Sequence, residues 1–470
     1  MVTMSEKKDT NVCMVSLGCP KNLVDSEAML GILSGEGYSV TTNADEADVI
    51  IVNTCSFIGE SKKESINAIL SAAEKKEKNC KHLIVTGCLS ERYGNEFSET
   101  LPEVDAALGV GEYNRIAEVT ESLMEFGHAP EGLGSEVETY SIEDRLKHLA
   151  AKRLVSTGHG YAYLKIAEGC DNRCAFCVIP NLRGRYISRT ISDLVAEATE
   201  ITKHHEMELI LVAQDTNHYG MDLGDGSDLY QLMDKLEEIE NVKWIRILYC
   251  YPEMIDETFI RYFSKNKKLL KYIDMPIQHI NNNILQRMGR RYDRTMIERL
   301  LPALRREIPG LVLRTTVMTG FPGETEEDFA ELEDFVKLAR FDRLGVFAFS
   351  REEGTPAATM RKQIGRRLAR HRQLQIIRTQ DVIDREADQH RIGCEYEAIV
   401  DGPGWEQTGR DRKKEMERGG FYSTGRTYGE APDIDGIIRI HSEQELKSGE
   451  FVRVRITDAK KYGWDAEVLA

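Results

Sequence analysis

Short β-branched and aromatic runs alternate with amphipathic helical patterns along most of this 470-residue chain. That rhythm admits few folds, because strands separated by helical crossovers pack as parallel sheets with right-handed connections. The first three units are near repeats. Residues 12–18 (VCMVSLG) read as a buried strand, followed by Cys19-Pro20 and a helical pattern over about 25–33. Residues 47–52 (ADVIIV) form a second strand, closed by Asn53-Thr54-Cys55, and an amphipathic helix over 61–76 carries Ile66, Ile69 and Leu70 on one face. Residues 82–86 (HLIVT) form the third, followed by Gly87-Cys88 and a helix from Glu91.

The repeat places three cysteines alike. Cys19, Cys55 and Cys88 are 36 and 33 residues apart, yet each lies just past the C-terminal end of a strand. Parallel strands bring those ends to one edge, where nearby helix N-termini favour thiolates, so the three sulfurs are expected to converge as iron-sulfur ligands. The competing reading is three unrelated core cysteines. Cys13, Cys80, Cys250 and Cys394 have no such pattern and are assigned to packing.

A second trio is local. Cys170, Cys174 and Cys177 have C-x3-C-x2-C spacing, just past a strand over 161–167 (YAYLKIA). Iron-sulfur clusters of the 4Fe-4S type and structural zinc both normally take four protein ligands, so three cysteines leave one position open. A zinc knuckle completed by a distant histidine or cysteine is the alternative.

The α/β rhythm then resumes. Strands are expected at 208–213, 244–249, 272–275, 311–318 and 344–349, and helices at 191–205, 229–239, 290–307 and from the GFPGET turn (320–325) through 338. With the strand at 161–167 this makes about six, an incomplete β/α barrel with its site at the C-terminal strand ends. Gln214-Asp215-Thr216 lies at such an end, although Asp215 suits a helix N-cap equally well. The GFPGET turn needs no ligand to explain it. His279 reads as structural, and 121–160 as a connecting segment. The basic run 361–372 suits a solvated helix face better than an RNA contact. From about 391 the pattern changes to short alternating strands, a small all-β barrel in which acidic residues outnumber basic ones. The expected fold is α/β with three domains: 11–128, a parallel-sheet domain; 156–388, the partial barrel; and 389–470, the β barrel.

Composition narrows the function. The chain is 41% hydrophobic and 30% charged, which is globular, and no apolar run approaches the ~20 residues of a membrane span. The opening MVTMSEKKDT has no apolar stretch after its lysines, so a cytoplasmic location without membrane contact is expected. In a reducing compartment ten cysteines favour metal over disulfides. A net charge of −16 is the wrong sign for a protein that grips phosphates, so tRNA is disfavoured as a partner.

Together the six cysteines and three domains resemble the methylthiotransferase branch of the radical S-adenosylmethionine enzymes. The opening motif Ser16-Leu17-Gly18-Cys19-Pro20-Lys21-Asn22 with Val24-Asp25-Ser26-Glu27 is similar to the members that modify a ribosomal protein. Further matches are Asn53-Thr54-Cys55, Arg314-Thr315-Thr316 before GFPGET, the run 350–357 (SREEGTPA), Gly425-Arg426-Thr427 and 431–436 (APDIDG). The charged segment 406–418 has no counterpart in the family pattern. The resemblance implies a C-terminal TRAM domain and two 4Fe-4S clusters. Cys170, Cys174 and Cys177 would hold the cluster that cleaves S-adenosylmethionine to a 5'-deoxyadenosyl radical. Cys19, Cys55 and Cys88 would hold the one that supplies sulfur. Phe176 and Gln214 would contact S-adenosylmethionine. The implied reaction is methylthiolation of the β-carbon of an aspartate in small-subunit ribosomal protein twelve, free or within the ribosomal subunit. An electron donor of flavodoxin or ferredoxin type would serve it, and the same chemistry on tRNA adenosine is the alternative.

Overall fold

A computed structural model describes residues 9–134, 142–150, 152–404, 419–460 and 463–469. The first unit contains β1 (Asn11–Ser16), α1 (Pro20–Gly35), β2 (Ser39–Thr41), β3 (Val49–Thr54), α2 (Gly59–Ala73), β4 (His82–Gly87), α3 (Cys88–Tyr93), β5 (Ala106–Leu108) and α4 (Ile116–Phe126). Its five parallel strands lie in the order β2-β1-β3-β4-β5. Every residue of β3 is buried, as expected of a central strand covered on both faces. The flanking strands β2 and β5 were not anticipated, since three residues are too few to show a period. Helix α1 starts at Pro20 rather than near Asp25, because proline is suited to the first helical turn. Helix α4 runs into the segment read as a connector.

The central unit follows as β6 (Tyr161–Lys165), β7 (Ala167–Glu168), α5 (Ile179–Arg183), β8 (Ile187–Ser188), α6 (Ile191–Ile201), β9 (Met207–Val212), α7 (Leu229–Glu237), β10 (Val242–Ile247), α8 (Glu257–Lys265), β11 (Leu269–Asp274), α9 (Asn282–Arg287), α10 (Arg294–Glu307), β12 (Val312–Thr319), α11 (Glu326–Ala339), β13 (Arg343–Ala348) and α12 (Arg366–Arg391). Six parallel strands form an open sheet in the order β13-β12-β11-β10-β9-β6, the incomplete barrel that the strand count implied. Helices α6, α7, α8, α10 and α11 cover one face through residues at helical spacing, such as Leu229, Leu232, Met233 and Leu236. The other face packs Tyr163, Ile210, Trp244 and Tyr272 against Val24 and Ala28 of α1 and against Ile399 and Ala431 of the C-terminal unit. All three units therefore share this sheet.

The last unit is β14 (Glu395–Pro403), β15 (Phe421–Thr427), β16 (Ile437–Ser442), β17 (Phe451–Lys460) and β18 (Gly463–Val468), closed in the order β14-β15-β16-β18-β17. It docks through buried charge: Arg426 reaches Glu208 of β9 at 2.6 Å, and Tyr272 of β11 donates to Asp435 at 2.7 Å. The charged segment 406–418 lies outside the described residues. Cys13, Cys80 and Cys250 are buried as expected of packing cysteines. Cys394 is not: it is exposed, because it lies in the turn between α12 and β14.

Candidate functional site

The strand register explains how the distant cysteines meet. Thr54 pairs with Gly87 across β3 and β4, so Cys55 and Cys88 each follow the last residue of adjacent strands. Cys19 caps α1 on the neighbouring strand-to-helix turn. Gly18 has φ +95°, and a Cβ there would stand 2.8 Å from the Cys55 Cβ and 3.2 Å from its Sγ, so only glycine lets the two turns touch. Burial pushes the Cys55 thiol up to about 12, and the Cys88 and Cys19 sulfurs push the same way. Burial raises Cys88 too, opposed by the Arg183 guanidinium.

The local trio is held by a different set of contacts. Gly169, at φ +75°, would place a Cβ 2.1 Å from the Arg185 carbonyl oxygen, which explains a glycine directly before Cys170. The Ile179 amide donates to Cys177 Sγ at 3.4 Å, and Arg290 Nη1 donates to Cys174 Sγ at 3.5 Å. Cys170 is raised to about 11 and Cys177 to about 12, mainly by burial, with the Cys174 sulfur among the further causes of each. Buried thiols whose neighbours are one another suit thiolate ligands of a cationic cluster, since bound metal replaces the lost hydration of the charged form. Among the described residues no three His, Cys, Asp or Glu side chains stand together as ligands of a single ion. A four-iron cube asks for something else, one thiolate on each of three different irons.

The loops that carry the two trios touch. Cys88 packs against Val178 and Leu182, and Val178 adjoins Cys177. Between them lies a buried ionic cluster that the sequence reading missed. Lys165 and Arg183 of the central unit and Asp25 of α1 are at most 1% exposed, and Glu168 is 3% exposed. Arg183 Nη1 donates to Asp25 at 3.0 Å and to Glu168 at 2.8 Å, while its Nη2 donates to Asn22. Lys165 pairs with Asp25 and, at 2.5 Å, with Glu168. His148 Nε2 lies 3.0 Å from Asp25 Oδ1, and burial lowers the imidazole while Asp25 opposes it. Asn22 also donates to the carbonyls of Leu17 and Thr54, tying Arg183 to the loops that carry Cys19 and Cys55. The only signal in the sequence was charge at 21, 25 and 27 on a helix that is buried nearly all round.

Around the barrel mouth the expected residues fall as follows. Gln214 donates to Glu168 Oε1 at 3.1 Å, and its own carbonyl oxygen is buried without a partner. Phe176 meets Phe321 edge-on at 6.5 Å and lies beneath the Arg290 guanidinium. Asp215 caps no helix through its side chain; it accepts from Asn172 at 2.6 Å, and burial raises it to about 7. Thr325 caps α11 in a reciprocal box with Asp328, which accounts for the GFPGET turn. His279 is fully buried and accepts from the Asn281 amide, a structural role. In the SREEGTPA run, Glu352 binds Lys62 at 2.7 Å and Arg92 at 3.2 Å, a second clamp onto the first unit. Ala357 donates its amide to the Ala175 carbonyl of the cysteine loop at 2.8 Å.

An open six-stranded parallel sheet with a three-cysteine loop after its first strand defines a radical S-adenosylmethionine enzyme, and the comparisons agree. Residues 164–336 match the Radical SAM superfamily, 11–109 match the uncharacterized protein family UPF0004, and 392–469 match the TRAM domain. The radical S-adenosylmethionine methyltransferase TsrM from Kitasatospora setae shares the fold at TM-score 0.53 and 16% identity, over 74% of this chain and 77% of that one. More similar are the ribosomal protein uS12 methylthiotransferases RimO of Trichlorobacter lovleyi, 46% identical over 99% of this chain and 100% of that protein, and of Acetivibrio thermocellus, 45% identical over 97% and 98%. The chain belongs to the RimO methylthiotransferase family and is a transferase. None of its described helices is long and apolar enough to cross a membrane.

Proposed function

We propose that this protein attaches a methylthio group to the β-carbon of an aspartate in small-subunit ribosomal protein twelve, free or within the ribosomal subunit. The observation that carries the reading is the pair of three-thiol sets, each with two buried and one half-buried cysteine and each short of a fourth, on loops that pack against one another. Cys170, Cys174 and Cys177 would hold one 4Fe-4S cluster and Cys19, Cys55 and Cys88 the other. With S-adenosylmethionine bound they supply a 5'-deoxyadenosyl radical and a methylthio sulfur, chemistry that no side chain provides at an unactivated C–H bond.

The chain's own residues position these groups. Arg290 and the Ile179 amide aim donors at two sulfurs of the local trio. Arg183, Lys165, Asp25 and Glu168 hold the two loops in fixed relation while excluding water. Gln214, whose carbonyl oxygen is buried without a partner, and Phe176 would contact S-adenosylmethionine. A flavodoxin or ferredoxin would deliver the electron.

Anaerobic reconstitution and mass spectrometry test this together. Wild type should bind about eight irons, and Cys174→Ala and Cys55→Ala about four each. Cys174→Ala should lose 5'-deoxyadenosine formation. Cells lacking the protein should lose a methylthio mass increment on one aspartate of ribosomal protein twelve; an unchanged ribosomal protein with altered tRNA nucleosides refutes the substrate.

A further inference from the structure

We propose that the Lys21 ammonium receives the side-chain carboxylate of the substrate aspartate, an inference that rests on the function proposed above. It starts from an unbalanced charge. The other cations lining the junction are committed: Lys165 and Arg183 to Asp25 and Glu168, Arg314 to Asp274 at 2.6 Å, and Arg290 to Cys174 Sγ and the Pro276 carbonyl. Lys21 is 6% exposed, yet among the described residues no carboxylate pairs with it. Its Nζ makes a long bond, 3.5 Å to the Ala213 carbonyl, and otherwise meets Tyr249, lying 3.4 Å from the ring centroid and within hydrogen-bond reach of the phenol, with the Cys19 sulfur nearby. Neither contact brings a carboxylate to an ammonium that offers three donors, and a buried cation without a carboxylate partner is costly to keep.

Its place fits a substrate. Ala213 directly follows β9 and Tyr249 lies two residues past β10, so Lys21 crosses the C-terminal ends of two adjacent strands, where such sheets keep their ligands. Lys21 is two residues from Cys19. Gln214, next to Ala213, bonds to Glu168, two residues before Cys170. The ammonium therefore lies close to the first trio through Cys19, and one residue along from Ala213 the chain contacts the strand that leads into the second.

Tyr249 supplies a second, independent observation. Its φ is +63°, a left-handed conformation that a bulky residue rarely holds outside functional sites. The strain is held by Asp274, whose Oδ2 accepts the Tyr249 amide at 3.0 Å while Arg314 pins Oδ1. The result is an aromatic face under the ammonium, which tolerates a cation without neutralising it and leaves the charge for a ligand. In aspartate the β-carbon is bonded to the carboxylate carbon, so gripping that carboxylate fixes the reacting carbon to within one torsion.

The experiment compares the reconstituted holoenzyme with Lys21→Met and Lys21→Gln on two peptides covering the target loop, one with the aspartate and one with asparagine there. Wild type should bind the aspartate peptide about 10- to 100-fold more tightly, the range of one charge-assisted hydrogen bond. Lys21→Met should raise KM for the aspartate peptide by about the same factor, bring the two peptides within about threefold of each other, and keep the wild-type iron content and visible spectrum. Lys21→Gln should give the same collapse of preference and serves if the methionine variant does not accumulate. Retained aspartate preference in either variant, or loss of iron, overturns the assignment. If wild type binds neither peptide better than a scrambled one, the substrate reading fails, and the lysine assignment with it.

Discussion

Replacing Arg183 with methionine keeps the bulk of the side chain and deletes the charge that joins α1 to the cysteine loop. Asp25 and Glu168 would then share Lys165 alone, with His148 still bonded to Asp25. Removing one partner of a buried ion pair costs about 3–5 kcal/mol. A second route gives a similar figure. Burial would raise Glu168, but Arg183 and then Lys165 hold it down at about 2 against an ordinary 4.5. That difference corresponds to ~3 kcal/mol, shared between the two cations. Asp25 is held further below its usual range, against burial, by Lys165, Arg183 and His148. Both carboxylates have depressed folded-state values, so their stabilisation is present above about pH 4.5 and lost as pH falls toward 2. The Arg183→Met deficit should therefore be largest near neutrality and shrink in acid. Hydrogen exchange on the amides of α1 and β6, measured at several pH values, reads the junction directly. A loss below about 1 kcal/mol, or a deficit that does not change between pH 7 and pH 3, would refute the reasoning.

The two loop glycines should separate the clusters. Gly18→Ala forces a methyl within 2.8 Å of the Cys55 Cβ at φ +95°, so iron content should fall from about eight toward four with 5'-deoxyadenosine formation retained. Gly169→Ala meets the Arg185 carbonyl oxygen at 2.1 Å, and there the same assays should show 5'-deoxyadenosine lost. Glu430 is fully buried between Arg343 at 3.0 Å and Arg391 at 2.6 Å and is held, against burial, at about 2. Glu430→Gln should destabilise the docking of the C-terminal barrel by about 3–5 kcal/mol at pH 7. The cost should fade only as pH drops below about 4.5, read by limited proteolysis. Leu338 is 72% exposed, so Leu338→Gln should stay within about 0.5 kcal/mol of wild type by thermal unfolding.

Much of this was legible from residue order because the relevant physics is local. Hydrophobic period marks strands and helices, parallel strands put their C-terminal ends on one edge, and that alone grouped Cys19, Cys55 and Cys88. The spacing of Cys170, Cys174 and Cys177 needs a single loop. What remained hidden depends on partners far apart in the chain. The nine-residue helix Glu257–Lys265 passed unnoticed, although the equally short Leu229–Glu237 was expected. Asp25 looks like a solvated helix charge until Lys165 and Arg183, 140 and 158 residues away, are folded against it. Lys21 likewise shows its want of an anion only once burial has removed the water that would have served. Charge pairing and desolvation are properties of the assembled junction, so residue order decided which atoms were available and tertiary packing decided which of them were left with work to do.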